Sequence, residues 1–80
     1  MRATVLVRPK QGILDPQGEA VGSSLRQLGF AVAEARVGRV VDLELADDDP
    51  TAVRAELERM CEQLLANPLI ESYEIRVAPE

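Results

Sequence analysis

Two amphipathic runs alternate with extended runs along this chain of 80 residues, and each amphipathic run opens on an Asp-Pro pair. Asp15 and Asp49 stand where an N-cap carboxylate accepts a bond from a free backbone N–H, and proline follows each at the first helical position. The first run predicts a helix over residues 16–28, ended by Gly29 as its C′ residue. Its apolar positions recur at helical spacing, at Val21, Leu25 and Leu28.

The second run has the clearest helical period in the chain and predicts a helix over residues 50–66. Asn67 and Pro68 end it, because Asn tolerates a left-handed cap and Pro cannot continue a helix. Its apolar stripe consists of Val53, Leu57, Met60, Cys61, Leu64 and Leu65. Since this stripe is expected to be core, Leu64→Ala should lower the free energy of unfolding by about 2–5 kcal/mol.

Four extended segments are predicted around these helices. Residues 2–9, 30–37 and 69–77 read as strands, the second of them with only loose alternation. The remaining strand, which follows Gly38 and Arg39, alternates best, with apolar side chains at Val41, Leu43 and Leu45. The order β-α-β-β-α-β resembles the ferredoxin-like fold. We therefore expect one α+β domain over residues 1–80, with an antiparallel sheet and both helices on one of its faces.

The composition argues against several classes of function. A net charge of −5 and an isoelectric point near 4.7 disfavour nucleic-acid binding, which requires a basic surface. Phe30 and Tyr73 are the aromatic residues, too few for a base-stacking surface. No apolar run approaches the ~20 residues of a membrane span, and the N-terminal residues do not have the layout of a signal peptide. We expect a cytoplasmic protein.

No group of residues has the spacing of a catalytic, cofactor-binding or metal-binding site. The chain contains no histidine, the usual acid–base residue at neutral pH and the commonest metal ligand. Cys61 lies on the apolar stripe and is expected to be a buried structural thiol, because a nucleophile needs exposure and a nearby base. Residues 47–49, three aspartates, are interpreted as a turn and helix cap rather than a cation site. We expect no catalytic activity from the chain on its own.

Two glycines within the first predicted helix, Gly18 and Gly22, are unfavourable for helix formation. Each costs up to about 1 kcal/mol relative to alanine. They lie four residues apart, hence on one face, and they leave that face smooth enough for another backbone to approach closely. From the pattern alone, tolerated sequence variation explains them equally well.

Several motifs together resemble the PurS family. They are Leu-Asp-Pro-Gln-Gly-Glu-Ala-Val at 14–21, Leu-Gly-Phe at 28–30, Arg-Val-Gly-Arg at 36–39 and Cys-Glu-Gln-Leu-Leu-Ala-Asn-Pro-Leu-Ile-Glu-Ser-Tyr at 61–73. Asp-Pro-Gln-Gly alone would be weak, whereas the whole series matches in order and spacing across the chain. One departure is Arg39, where the family usually has lysine, so the charge is kept but the bonding geometry differs.

The resemblance implies a role in purine biosynthesis. Members of the family are the small subunit of phosphoribosylformylglycinamidine synthase, which converts formylglycinamide ribonucleotide, glutamine and ATP to formylglycinamidine ribonucleotide, glutamate, ADP and phosphate. The implied partners are a large synthetase subunit (PurL) and a glutaminase subunit (PurQ). The small subunit, usually a homodimer, would bridge them and support ammonia transfer. ATP and magnesium would be used by the complex, with no cofactor bound by this chain.

A candidate partner interface follows from the resemblance and the glycines together. The start of the first helix would present a small-residue surface, and two arginines would add polar contacts. The predicted interface residues are Asp15, Pro16, Gln17, Gly18, Gly22, Arg36 and Arg39.

Two alternatives have the same fold, because fold alone does not determine function. One is a regulatory module that binds a small molecule between paired ferredoxin-like chains. The other is an acylphosphatase-type enzyme, which needs an anion-cradling arginine and an asparagine that positions water. Arg8 and Asn67 are not in a recognisable arrangement for that activity.

Overall fold

A computed structural model describes residues 1–78, and its sheet is built around the first strand of the chain. The three strands, in spatial order, are β2 (Arg39–Glu44), β1 (Arg2–Pro9) and β3 (Glu71–Ala78). Both pairings are antiparallel, with Val5 opposite Val41 on one side and opposite Ile75 on the other. The predicted α+β class with an antiparallel sheet is confirmed.

The helices begin at the two Asp-Pro pairs, as predicted. The helical elements are α1 (Pro16–Gln27), α2 (Pro50–Met60) and a π-helical turn (Cys61–Leu65) that continues α2. Leu28 caps α1, and Gly29 follows with a φ of 100°, a left-handed conformation that favours glycine. Among residues 1–78, none of these helices combines the length and hydrophobicity needed to cross a bilayer.

The core lies between α2 and one face of the sheet. The residues of β1 alternate, so that Ala3, Val5 and Val7 are buried on this inner face while Thr4 on the outer face bonds Asp42 of β2. The buried residues that pack against the inner face come from α2 and the chain that follows it, and they are Val53, Leu57, Cys61 and Ala66. Cys61 is fully buried, as expected.

The strand predicted over residues 30–37 is wrong, because this segment is irregular. The register explains why. The last pair between β1 and β2 joins Val7 to Arg39, and β1 ends two residues later at Pro9. The chain preceding β2 therefore runs past the end of the sheet, where none of the strands described within residues 1–78 is in place to accept its hydrogen bonds. An alternating pattern indicates that a segment can form a strand, but a strand also requires a neighbour.

The ferredoxin-like α+β arrangement is consistent with the structure, but the two helices contribute unequally to the core. α2 packs on the inner face, whereas α1 makes at most marginal contact with the sheet. Instead α1 lies beside the irregular segment, and its predicted apolar positions are left half-buried or exposed, with Leu28 74% exposed. The molecule is therefore elongated, with extents of 47 × 27 × 14 Å.

The predicted burial of Leu64 is wrong for a geometric reason. In the π-helical turn the N–H of Ala66 donates to the carbonyl of Cys61, five residues earlier, at 3.1 Å. In this wider turn each residue advances by a smaller angle around the helix axis than in an α-helix. As a result Ala66 and Leu65 face the core below Cys61, and Leu64 points outward with 82% of its surface exposed.

We expect Leu57→Ala and Leu64→Ala to differ sharply in their effect on the free energy of unfolding. Leu57 is fully buried, so its truncation leaves a cavity and should cost about 2–5 kcal/mol. Leu64→Ala is the same chemical change seven residues further along, but Leu64 is 82% exposed and loses no core contact, so it should cost less than about 0.5 kcal/mol. Urea unfolding of both variants measures the difference, and equal losses would place Leu64 in a packed environment.

Candidate functional site

The carboxylate of Asp15 joins two distant parts of the chain. Its Oδ1 accepts the N–H of Gly18 at 3.0 Å, which caps α1, and its Oδ2 accepts the N–H of Val37 at 2.9 Å. These two bonds, that of Val37 foremost, hold the pKa of the Asp15 carboxyl below its ordinary value, and the charge of Arg36 adds to the effect. Asp49 caps α2 through the N–H of Thr51. The bond to Val37 distinguishes the first Asp-Pro pair from the second.

The glycine face of α1 is covered by the irregular segment of the same chain. Gly18 and Gly22 are the buried residues of α1. A Cβ atom at Gly18 would overlap the carbonyl oxygen of Ala35 and the carboxylate of Asp15, so glycine is required there. At Gly22 a Cβ atom would lie 3.5 Å from the Cβ of Ala35, an ordinary contact. The close approach inferred from the two glycines is therefore made by this chain's own backbone.

The structure brings four of the seven predicted interface residues together at one cleft. Asp15, Gly18, Gly22 and Arg36 line it, between the loop after β1, the first turns of α1 and the irregular segment. The cleft has a volume of about 160 Å³ and carries side chains of both charges. The other three predicted residues lie elsewhere: Pro16 and Gln17 are exposed at the start of α1, and Arg39 opens β2.

Both predicted arginines contact their own chain. Arg36 donates from Nη2 to the carbonyl of Pro9, which ties the irregular segment to the end of β1. Arg39 forms a two-pronged pair with Glu71, at 2.9 Å from Nη1 and 3.1 Å from Nη2, and Nη2 also donates to the carbonyl of Leu65. These contacts give both arginines a structural role within the chain.

Glu71 was not among the predicted site residues, although it organises this region. Besides the pair with Arg39, one of its oxygens accepts the N–H of Asn67 at 2.7 Å. The bond from Arg39 is the main cause that lowers the pKa of Glu71, followed by the bond from Asn67, and the same pair raises the pKa of Arg39. The turn after the π-helical segment is thereby fastened to the starts of β2 and β3.

The remaining chemistry of the described residues is sparse. Burial raises the pKa of the Cys61 thiol, and the carboxylates of Glu62 and Glu58 add to the shift, so the thiolate is disfavoured. Within residues 1–78 no three histidine, cysteine or acidic side chains are grouped so that they could hold a metal ion. The prominent features of the site are thus the hydrogen bonds and ion pairs that hold its chain segments together.

These observations define a small α+β domain whose distinctive motifs organise an exposed surface. A family model described as PurS, phosphoribosylformylglycinamidine (FGAM) synthase, matches residues 2–79. The chain belongs to the PurS family.

Curated relatives and solved structures agree with this assignment. The chain is 39% identical to the phosphoribosylformylglycinamidine synthase subunit PurS of Methanocaldococcus jannaschii, over 95% of this chain and 93% of the relative. It is 44% identical to the corresponding subunit of Synechocystis, over 90% of this chain and 71% of the relative. The crystal structure of PurS from M. jannaschii superposes with a TM-score of 0.86 at 38% identity, covering 99% of this chain and 96% of that one. A structure of PurLQS from Thermotoga maritima also gives 0.86, at 30% identity, covering 94% and 93%.

We expect Gly18→Ala and Gly22→Ala to have opposite consequences. The methyl group at position 18 meets backbone and a bonded carboxylate, and should lower the free energy of unfolding by about 1–3 kcal/mol. The methyl group at position 22 has room, and the better helix propensity of alanine should leave stability unchanged or raised by up to about 1 kcal/mol. Thermal unfolding of the two variants provides the comparison. A similar loss in both would contradict a specific close approach at Gly18.

Proposed function

We infer that this chain is the non-catalytic small subunit of a phosphoribosylformylglycinamidine synthase complex in purine biosynthesis. The observation that carries the inference is membership of the PurS family over residues 2–79. The match to a protein solved as part of PurLQS supports a role within an assembly. The described residues contribute contacts between chain segments at the very motifs that mark the family, which suits a protein that acts through its surface.

The role we propose is to bridge the large synthetase subunit, PurL, and the glutaminase subunit, PurQ, and to support ammonia transfer between them. ATP and magnesium would be bound by the complex outside this chain. The start of α1 and the neighbouring segment, which carry most of the predicted interface residues, are the proposed contact region for a partner. A cytoplasmic location follows from a pathway whose substrates are free nucleotides.

We further propose that the chain is a homodimer. Its accessible surface is 5,811 Å², about 1,100 Å² more than the roughly 4,700 Å² expected of a compact monomer of 8.7 kDa. A standard interface buries about 800 Å² per partner, so one such contact would absorb most of this excess. The radius of gyration of 15.8 Å likewise exceeds the about 12 Å expected for this length. The apolar side of α1, with Val21 and Leu28 exposed, is the surface we assign to a second copy.

Reconstitution tests the subunit role directly. Glutamine-dependent turnover by the combined synthetase and glutaminase subunits should be more than about tenfold faster with this chain than without it, equivalent to about 1.4 kcal/mol. Turnover with ammonium chloride in place of glutamine should change little, because the synthetase chemistry lies on the large subunit. Equal glutamine-dependent rates with and without this chain would refute the proposal. Loss with both nitrogen sources would point to a role in the synthetase itself.

We expect Leu28→Glu to convert the dimer into a monomer that remains folded. Leu28 is 74% exposed, so the folded chain loses little packing, whereas an interface would have to bury the new charge. Gln27→Glu adds the same charge one residue earlier on α1 and serves as the control. Sedimentation equilibrium gives the mass of each variant. A dimer that persists with Leu28→Glu would exclude the apolar side of α1 as the dimer interface.

A further inference from the structure

A groove where β1 ends and β2 begins is lined by three basic residues of an otherwise acidic chain. It measures about 440 Å³, and Arg8, Arg36 and Arg39 line it together with Leu6, Pro9 and Val40. The chain has nine basic residues and a net charge of −5, yet among residues 1–78 no aspartate or glutamate lines this groove. The charge of the groove is therefore opposite in sign to the net charge of the molecule.

The floor of the groove is apolar and follows from the strand register. Leu6 of β1 lies opposite Val40 of β2 on the outer face of the sheet, and 59% of Val40 is exposed. Arg8 is two residues beyond Leu6 and hence on the same face. Gly38 lets the chain pass close to the carbonyl of Val7, which brings Arg36 to the same end. The exposed apolar floor thus has Arg8 on its own face and Arg36 near the end of β1, where it bonds the carbonyl of Pro9.

Two of the three charges are poorly neutralised within the described residues. Arg39 is fully paired with Glu71. Arg8 reaches only Glu74, at 3.8 Å, and that carboxylate is already bonded to Arg76 at 3.0 Å. Arg36 donates to the neutral carbonyl of Pro9. The charge of Arg36 does influence Asp15, whose two oxygens are each bonded to a backbone N–H.

We propose that this arginine groove binds an extended acidic segment of a partner subunit of the synthase, a proposal that rests on the proposed function. The carboxylates of the segment pair with Arg8 and Arg36, and an apolar side chain between them covers Leu6 and Val40. Charge complementarity favours this occupant. A free nucleotide fits less well, since the described lining of the groove includes neither an aromatic side chain nor the N-terminus of a helix.

The test compares charge reversal inside and outside the groove. Arg8→Glu should weaken binding of this chain to the purified synthetase and glutaminase subunits about tenfold at low salt, and the difference should shrink at high salt. Arg76→Glu is the matched control: Arg76 is also on the outer face, also contacts Glu74 and is 62% exposed, against 59% for Arg8. It should bind within about twofold of the unchanged chain. Arg8→Gln, which removes the charge without repelling Glu74, should give an intermediate loss.

Each alternative outcome overturns the proposal. Unchanged binding of both Arg8 variants, with the native chain still supporting glutamine-dependent turnover, refutes the groove alone and leaves the subunit role standing. Equal losses with Arg8→Glu and Arg76→Glu indicate a response to net charge. If ATP or inorganic phosphate shifts the amide resonances of residues 36–40 and displaces the partner subunits, the groove is an anion site instead. Failure of the native chain to assemble at all refutes both proposals together.

Discussion

The arrangement of this chain depends on one carboxylate that accepts two backbone hydrogen bonds. Asp15 bonds the N–H of Gly18, which starts α1, and the N–H of Val37, 22 residues further along. With one oxygen committed to each, the helix start and the approach to β2 are held at a fixed separation. The incoming backbone then passes where a side chain at position 18 would be. Asp49 caps only α2, whereas Asp15 caps α1 and also positions the irregular segment that precedes β2.

This packing explains why the molecule is elongated. The irregular segment is held against α1 and beyond the end of β1, and the buried core of the described residues takes no side chain from α1. Val41, Leu43 and Leu45 are then only partly buried on the inner face. An exposed helix side and an incompletely covered sheet arise from the same cause, and both are apolar. A hydrophobic effect that one chain cannot satisfy alone is a reason for chains to associate.

Local signals in the sequence located the starts of both helices and three of the four predicted strands, but they did not determine which segments pack against one another. The Asp-Pro pairs and Gly29 located the helix ends because capping depends on residues a few positions apart. The alternation of residues 30–37 was read as a strand, but no pattern within a segment states whether a pairing strand will be within reach. Gly18 indicated a close approach without indicating whose backbone makes it. Glu71 was missed because its partner Arg39 is 32 residues away.

Because of the π-helical turn after α2, the exposure of Leu64 depends on the number of residues in the turn rather than on the chemistry of its side chain. Leu64 is as apolar as the fully buried Leu57, and it is exposed only because the turn from Cys61 to Ala66 contains one residue more than an α-helical turn would. A chain one residue shorter between Met60 and Ala66 would present a different side chain at this position with the same core. An insertion or deletion in this turn therefore changes which positions are exposed, whereas a substitution changes only the side chain at a position that stays exposed.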